Sequence, residues 1–185
     1  HIYITIILSL VIKIMKKKCL EQTLVIKEDY RKSQNNNNDR YFYPLNEITS
    51  FKINKLFRKL TRNKIKQEKI LIVKGRKFTI KNYYEGIARF DFNDLCNKNI
   101  GAEDYIKISD VSKYIFIENL PNFDDKNSNQ QQRFITLIDI IYEKKVSLTI
   151  SSDSNLNKLT SSKSLSELFK RTLSRLHELT SSVNN

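Results

Sequence analysis

Few residues of this 185-residue chain have the type and spacing that chemistry requires. Glu118 closes the apolar run Ile115-Phe116-Ile117, which is how a strand-end acid that handles magnesium or orients water is presented. A buried strand that simply ends on a polar residue looks the same, and that plainer reading is preferred. Arg171 and Arg175 stand four apart, which on a helix puts both guanidinium groups on one face. The same helix offers Glu167 and Glu178 as ordinary ion-pair partners. His1 and His177 are the only histidines, so neither a His-based metal site nor a Ser-His-Asp arrangement can be assembled. Cys19 and Cys96 lie far apart with no CxxC spacing, which argues against a zinc site or a disulfide framework and fits a reducing compartment. Cys96, in an apolar helical setting, is expected to be a small core residue.

A loop that cradles phosphates needs glycines where the backbone must approach the anion, as in GxxxxGK[ST] or GxGxxG. The three glycines, Gly75, Gly86 and Gly101, make neither pattern. The chain therefore contains no recognisable phosphate loop.

Composition sets looser bounds. Hydrophobic residues are 39% and charged residues 29%, which fits a folded domain rather than a disordered chain. The formal net charge of +13 is compatible with nucleic acid or anionic lipid as a partner. Lys, Ile and Asn are abundant throughout, so a general drift in composition explains much of that charge, and nucleic acid is the less favoured reading. The run Ile2–Met15 is apolar but short of the roughly 20 residues that span a bilayer, and Lys13 interrupts it. Its charges follow the run instead of preceding it, unlike a signal peptide. No transmembrane span is expected.

The elements that would position these residues follow from periodicity. Leu24–Ile26 is a short strand candidate, and the polar Asn-rich stretch 33–39 is a loop. Tyr41–Leu45 suits an edge strand, since Pro44 has no N–H for a ladder. Thr49 or Ser50 is expected to cap a helix reaching Leu60, with Ile53, Leu56, Phe57 and Leu60 on its buried face and Lys52, Lys55, Arg58 and Lys59 on a solvated one. Lys69–Val73 and Lys77–Ile80 read as a hairpin turned at Gly75. Asp91 is an expected cap for a helical stretch at Phe92–Cys96, and Ala102–Ile108 is a second short helix. Tyr114–Ile117 is a buried strand, 124–132 a polar loop, Arg133–Lys145 an amphipathic helix, and Val146–Ile150 a returning strand. Strand, crossover helix and strand make a parallel unit over about 114–150, hence an α/β fold. The connection 151–166 is expected to be mobile, and a last helix runs over 165–179 with Leu168, Leu176 and Leu179 among its apolar positions.

Several stretches, in order, resemble the signatures of one family. Gly86–Cys96 resembles "GvarFsFxdLC" and Ile100–Tyr105 "lGaaDYl". Tyr114–Pro121 resembles a strand ending in "diP", and Arg133–Asp139 is similar to "RFitLID" with Tyr142 after it. Arg171–Leu176 with Glu178 resembles "RTxSRLxEM", Leu179 replacing the Met. Upstream, Cys19 with Asp29-Tyr30-Arg31 resembles "C…DYR", and Tyr43-Pro44-Leu45 a "PLG"-type segment. These are motifs of the ZapE or AFG-one-like P-loop ATPases, which are AAA+-related. The pattern is departed from at Asn119, where an acid is usual, at Asn99, where a proline is usual, and after Ser152, where prolines are missing.

The resemblance implies an α/β C-terminal part of a P-loop ATPase, an incomplete domain whose Walker A, Walker B and sensor-1 segments precede His1. On this reading 1–20 is an apolar remnant of the ATPase core and 21–185 the C-terminal region. The implied activity is ATP hydrolysis with Mg2+, coupled to a protein partner in cell division or protein quality control. The chain by itself is expected to bind no cofactor and to have no intact catalytic site. Arg171 and Arg175, by their place in the "RTxSRL" match, are the implied nucleotide-sensing residues, with Arg133 second. Implied partners are a separately encoded N-terminal ATPase half, a division or membrane protein, or further copies of the chain, in the cytoplasm or peripherally at the inner membrane. A non-catalytic interaction module, or a split-gene relic, is the alternative.

Overall fold

The computed structural model describes residues 40–181, which lie within one compact unit. The apolar run 2–15, the strand candidate 24–26 and the loop 33–39 fall outside the described residues. The fold is α/β, a mixed six-stranded sheet in the order β1-β6-β5-β4-β3-β2 with helices against it. Its strands are β1 (Tyr41–Phe42), β2 (Lys66–Val73), β3 (Arg76–Tyr84), β4 (Ile87–Asp91), β5 (Tyr114–Leu120) and β6 (Ser147–Ser152). The helices are α1 (Glu47–Thr61), α2 (Phe92–Cys96), α3 (Ala102–Val111), α4 (Ser128–Glu143) and α5 (Ser166–Thr180).

Strands β1, β6, β5 and β4 run parallel, and β5 aligns Tyr114 with Ser147 and Ile117 with Ile150. The expected β5-α4-β6 unit is therefore present. Burial on both faces explains the composition of its strands: Ile115, Phe116 and Ile117 are all fully buried. Antiparallel β3 and β2 complete the sheet, and β1 lies at an edge as expected for a strand that runs into Pro44. The β2–β3 turn holds two residues with positive φ, Lys74 at 47° and Gly75 at 77°, the handedness that suits a two-residue hairpin.

Two apolar cores flank the sheet. The larger one gathers Phe92, Leu95, Cys96, Tyr105, Ile108, Phe134, Leu137, Ile138, Phe169 and Leu176 from α2 to α5 against one face. The smaller one seats Ile53 and Phe57 of α1 on Ile87 and Phe116 of the other face, with Leu56 and Leu60 half-buried beside them. Phe57 meets Phe116 edge-on, with centroids 5.2 Å apart.

Four sequence expectations are corrected. The cap of α1 is Asn46, not Thr49 or Ser50; its side-chain oxygen accepts the Thr49 N–H, and Thr49 is itself buried. Helix α4 begins at Ser128, so the polar stretch 124–132 is helical in its second half. That extra turn is anchored by Gln131, fully buried and hydrogen-bonded to Ser161 Oγ and to the Ser162 N–H. The connection 151–166 is tied into the fold by two 3-10 turns, Leu156–Lys158 and Lys163–Leu165, with Leu156 and Leu159 in the larger core. Leu168 of α5 points to solvent, whereas Leu176 is fully buried.

Candidate functional site

Helices α4 and α5 pack side by side, and their seam collects the two arginines that the sequence singled out. Both reach across to one acid. Arg171 Nη2 donates to Asp139 Oδ2 at 2.9 Å, and Arg175 Nη1 donates to Asp139 Oδ1. Neither pairs with Glu167 or Glu178, the partners their own helix offered: Glu167 is taken by Lys170 and Glu178 accepts the Tyr142 hydroxyl at 2.8 Å. That hydrogen bond to Glu178 is the main cause that lifts the Tyr142 phenol above its usual range.

The two arginines differ in commitment. The Arg175 side chain is 19% exposed, faces both Asp139 and Glu143, and stacks its guanidinium carbon 4.9 Å from the Tyr142 ring centre. Arg171 is 56% exposed and is held by Asp139 alone. Arg133, six residues before Asp139 on α4 and so on a different face of the helix, is turned elsewhere: its Nη1 donates to the Cys96 carbonyl at 3.1 Å, at the end of α2. The structure thus brings Arg171 and Arg175 together and leaves Arg133 apart.

Glu118 lies at the carboxyl ends of the parallel strands, the edge where open α/β sheets hold ligands. Its carboxylate is engaged by Arg89 of β4 through Nε and, at 2.9 Å, Nη2. The Arg89 guanidinium also lies 4.8 Å from the Phe57 ring centre. Next to it Asn119, at a φ of 62°, donates its side-chain amide to Asp91 and its backbone N–H to Ser151 Oγ. A shallow cavity of about 330 Å3 is lined here by Arg89, Asp91, Asp94, Glu118 and Asn119.

Among the described residues no three His, Cys, Asp or Glu side chains converge to hold a metal ion. The strand-end acid is neutralised by an arginine, and the glycines stand at a hairpin turn, before β4 and at the start of α3. The described residues do not fit the cradle that Mg2+ and a nucleotide triphosphate need.

Sequence reasoning missed Asp139 as the common acceptor and Arg89 as the partner of Glu118. The pairs span 32, 36 and 29 residues, so no local spacing reveals them. The available signal was a lone charge inside an apolar run, Arg89 in Ile87–Phe90 and Asp139 in Phe134–Ile141, since such a charge needs a partner when buried.

The profile of the AFG1-like ATPases matches residues 10–184. Over 151 residues the chain is 30% identical to lactation elevated protein 1 homolog B of Danio rerio, covering 80% of this chain and 30% of that protein. It is 25% identical over 167 residues to the cell division protein ZapE of Escherichia coli K12, covering 90% of this chain and 44% of ZapE. An uncharacterised Schizosaccharomyces pombe protein, C115.02c, is 25% identical over 144 residues, 77% of this chain and 32% of that protein. The chain spans less than half the length of these relatives. No solved structure matches significantly. With the family profile running through the α4–α5 seam and the strand ends alike, the chain belongs to the AFG1-like ATPase family.

Proposed function

We infer that the chain serves ATP hydrolysis by an AFG1-like ATPase, supplying an arginine to the nucleotide while another stretch of polypeptide supplies the phosphate loop. The observation that supports this is the contrast at the α4–α5 seam. Arg175 is locked into the helix pair, whereas Arg171 is more than half exposed and tied to one carboxylate. A guanidinium so placed can leave Asp139 for a phosphate at small cost, because an exposed ion pair is worth only about 0–1 kcal/mol. Its gain is large where charge develops on a transferring phosphoryl group, about 10³ to 10⁵ in rate for an arginine finger. Arg175 then acts as the strut that orients α5, and Arg133, committed to the Cys96 carbonyl, remains the second candidate.

ATP and Mg2+ are the cofactors of this reading, bound mainly outside the described residues. The coupled partner is a protein; the ZapE name points to a division protein, and further copies of the chain or a membrane protein fit as well. The cytoplasm, or the periphery of the inner membrane, is the matching compartment.

The test is calorimetry with Mg-ATP on the purified chain, alone and mixed with a polypeptide carrying the phosphate-loop region of a family member. Binding in the mixture, with turnover lowered about 10³-fold or more by Arg171→Ala, is the expected result. Unchanged turnover in Arg171→Ala removes the sensing role. No nucleotide binding in either sample makes the chain a non-catalytic interaction module.

A further inference from the structure

The chain's charge is concentrated on one stretch. Residues 47–81 hold twelve Lys and Arg against two Glu, ten of the net thirteen positive charges. Half of these cations lie on α1 and β2 and the rest on their connections and on β3, and α1 sorts its residues sharply. Its inner face, Ile53 and Phe57, is buried against the sheet. Its outer face, at i, i+3, i+4 and i+7 spacing, carries Phe51, Lys55, Arg58, Lys59 and, just past its end, Arg62, all exposed.

Two features set this face apart from an ordinary solvated one. Among the described residues, none of Lys55, Arg58, Lys59 and Arg62 has a carboxylate partner, whereas Lys74, Arg76, Lys144 and Lys170 each do. Large apolar side chains also stand among the cations. Phe51 is 67% exposed and Ile48 46%, and beyond the helix Ile65, Ile70 and Ile72 are 74%, 57% and 67% exposed. Five of the seven exposed large apolar residues thus fall between 48 and 72. Ile70 and Ile72 pair with Thr79 and Lys77, on the opposite face of the hairpin from buried Leu71 and Val73.

We propose that the outer face of α1, extended by β2, is a docking surface for an anionic lipid bilayer. The cations sit over headgroup phosphates, while Phe51 and Ile48 enter the headgroup layer. The choice of lipid over nucleic acid rests on the side chains present. Nine of the twelve cations are Lys, the compact point charge suited to a diffuse layer of phosphates, whereas bidentate readout of nucleic acid favours Arg. The accompanying apolar groups are four Ile and one Phe, suited to acyl chains; base stacking calls for a row of aromatics. No described helix is long and apolar enough to cross a membrane, so the contact is peripheral.

The chain has no tryptophan, so Phe51→Trp places a single fluorophore on this face. The full chain carrying it is mixed with vesicles of phosphatidylcholine alone and of phosphatidylcholine with phosphatidylglycerol. A blue shift and co-flotation with the anionic vesicles only, both reversed by salt, are expected. Reversing Lys55, Arg58 and Lys59 to Glu lowers partitioning by about a hundredfold, at about fivefold per cation. Reversing Lys126 and Lys158, away from this face, leaves it unchanged. Far-ultraviolet circular dichroism verifies that every variant stays folded. Emission that does not move with anionic vesicles overturns the proposal, as does equal loss from both sets of reversals. Binding to an RNA or DNA oligonucleotide without binding to vesicles overturns it too, and assigns the face to nucleic acid.

Discussion

The Arg175 guanidinium carbon lies 4.9 Å from the centre of the Tyr142 ring, and Tyr142 in turn passes its hydroxyl proton toward Glu178, three residues beyond Arg175 on the same helix. One aromatic of α4 is thereby gripped from both sides by α5. Asp139, one turn earlier on α4, accepts from one nitrogen of Arg175 and one of Arg171. The seam is held by charge and ring contacts at its rim and by Phe134, Ile138, Phe169 and Leu176 beneath.

It follows that the two arginines separate in a stability assay. Arg175→Ala removes a largely shielded ion pair and the cover over Tyr142, and costs about 1 kcal/mol. Arg171→Ala removes an exposed pair and changes stability by less than about 0.5 kcal/mol. Chemical denaturation of the two variants decides it. Equal losses would mean that Arg171 is as structural as Arg175.

The β2–β3 turn gives a second, local prediction. Gly75 sits at a φ of 77° with nothing within 4 Å of where a Cβ would be, so Gly75→Ala meets no clash and costs about 1 kcal/mol through backbone strain alone. Lys74 occupies the left-handed region without being Gly or Asn. Lys74→Asn should therefore raise stability by a few tenths of a kcal/mol. A melt in which Lys74→Asn lowers Tm in a Glu103→Gln background, where the Lys74–Glu103 ion pair is already absent, would contradict the turn geometry.

A third prediction concerns Asp104, whose side chain is only 3% exposed. Its Oδ2 accepts the Gly101 N–H at 2.9 Å at the start of α3 and also faces Arg76 at 3.0 Å. One carboxylate thus caps a helix and pins the hairpin to it. Asp104→Ala strands both donors and costs about 2 kcal/mol. Asp104→Asn keeps an acceptor for Gly101 and loses about half of that. Urea midpoints that rank Asn at or below Ala would refute the capping role.

These contrasts mark what was legible in the chain. The hairpin could be read because Gly75 and the alternation around it are local, and β5-α4-β6 because apolar periodicity switches from strand to helix and back. The first turn of α4 could not. Ser128–Gln132 is polar throughout, and its one buried member, Gln131, is held by Ser161 and Ser162 about thirty residues on. The cap of α1 was misplaced because Asn46, Thr49 and Ser50 all suit the role and the apolar period only starts at Ile53. Arg171 and Arg175 were found through family motifs, but their acceptor Asp139 needed the packing of two helices.

The last prediction is an alkaline limit to stability. Cys96 is fully buried, and burial pushes its thiol up to about 12, an effect the nearby Arg133 charge only partly offsets. Burial likewise raises the phenols of Tyr41 and Tyr105. For each group the native fold favours the protonated form. Below the unfolded-chain pKa, near 8.5 for Cys and 10 for Tyr, native and unfolded chains bind the same protons and the contribution is fully present. Above it the unfolded chain loses protons that the native chain keeps, so stability falls as pH rises. The Cys96 contribution fades between about 9 and 12, and the Tyr contributions add from about 10 upward. Urea titrations at stepped pH should show stability flat from about 7 to 8 and declining above 9. Cys96→Ala should make the first part of that decline shallower. In the native wild type, a thiol reagent at pH 8 should leave Cys96 unmodified, because the reactive thiolate is nearly absent and sterically covered. Rapid modification of Cys96 without unfolding, or a stability that rises above pH 9, would show that this core is open to water.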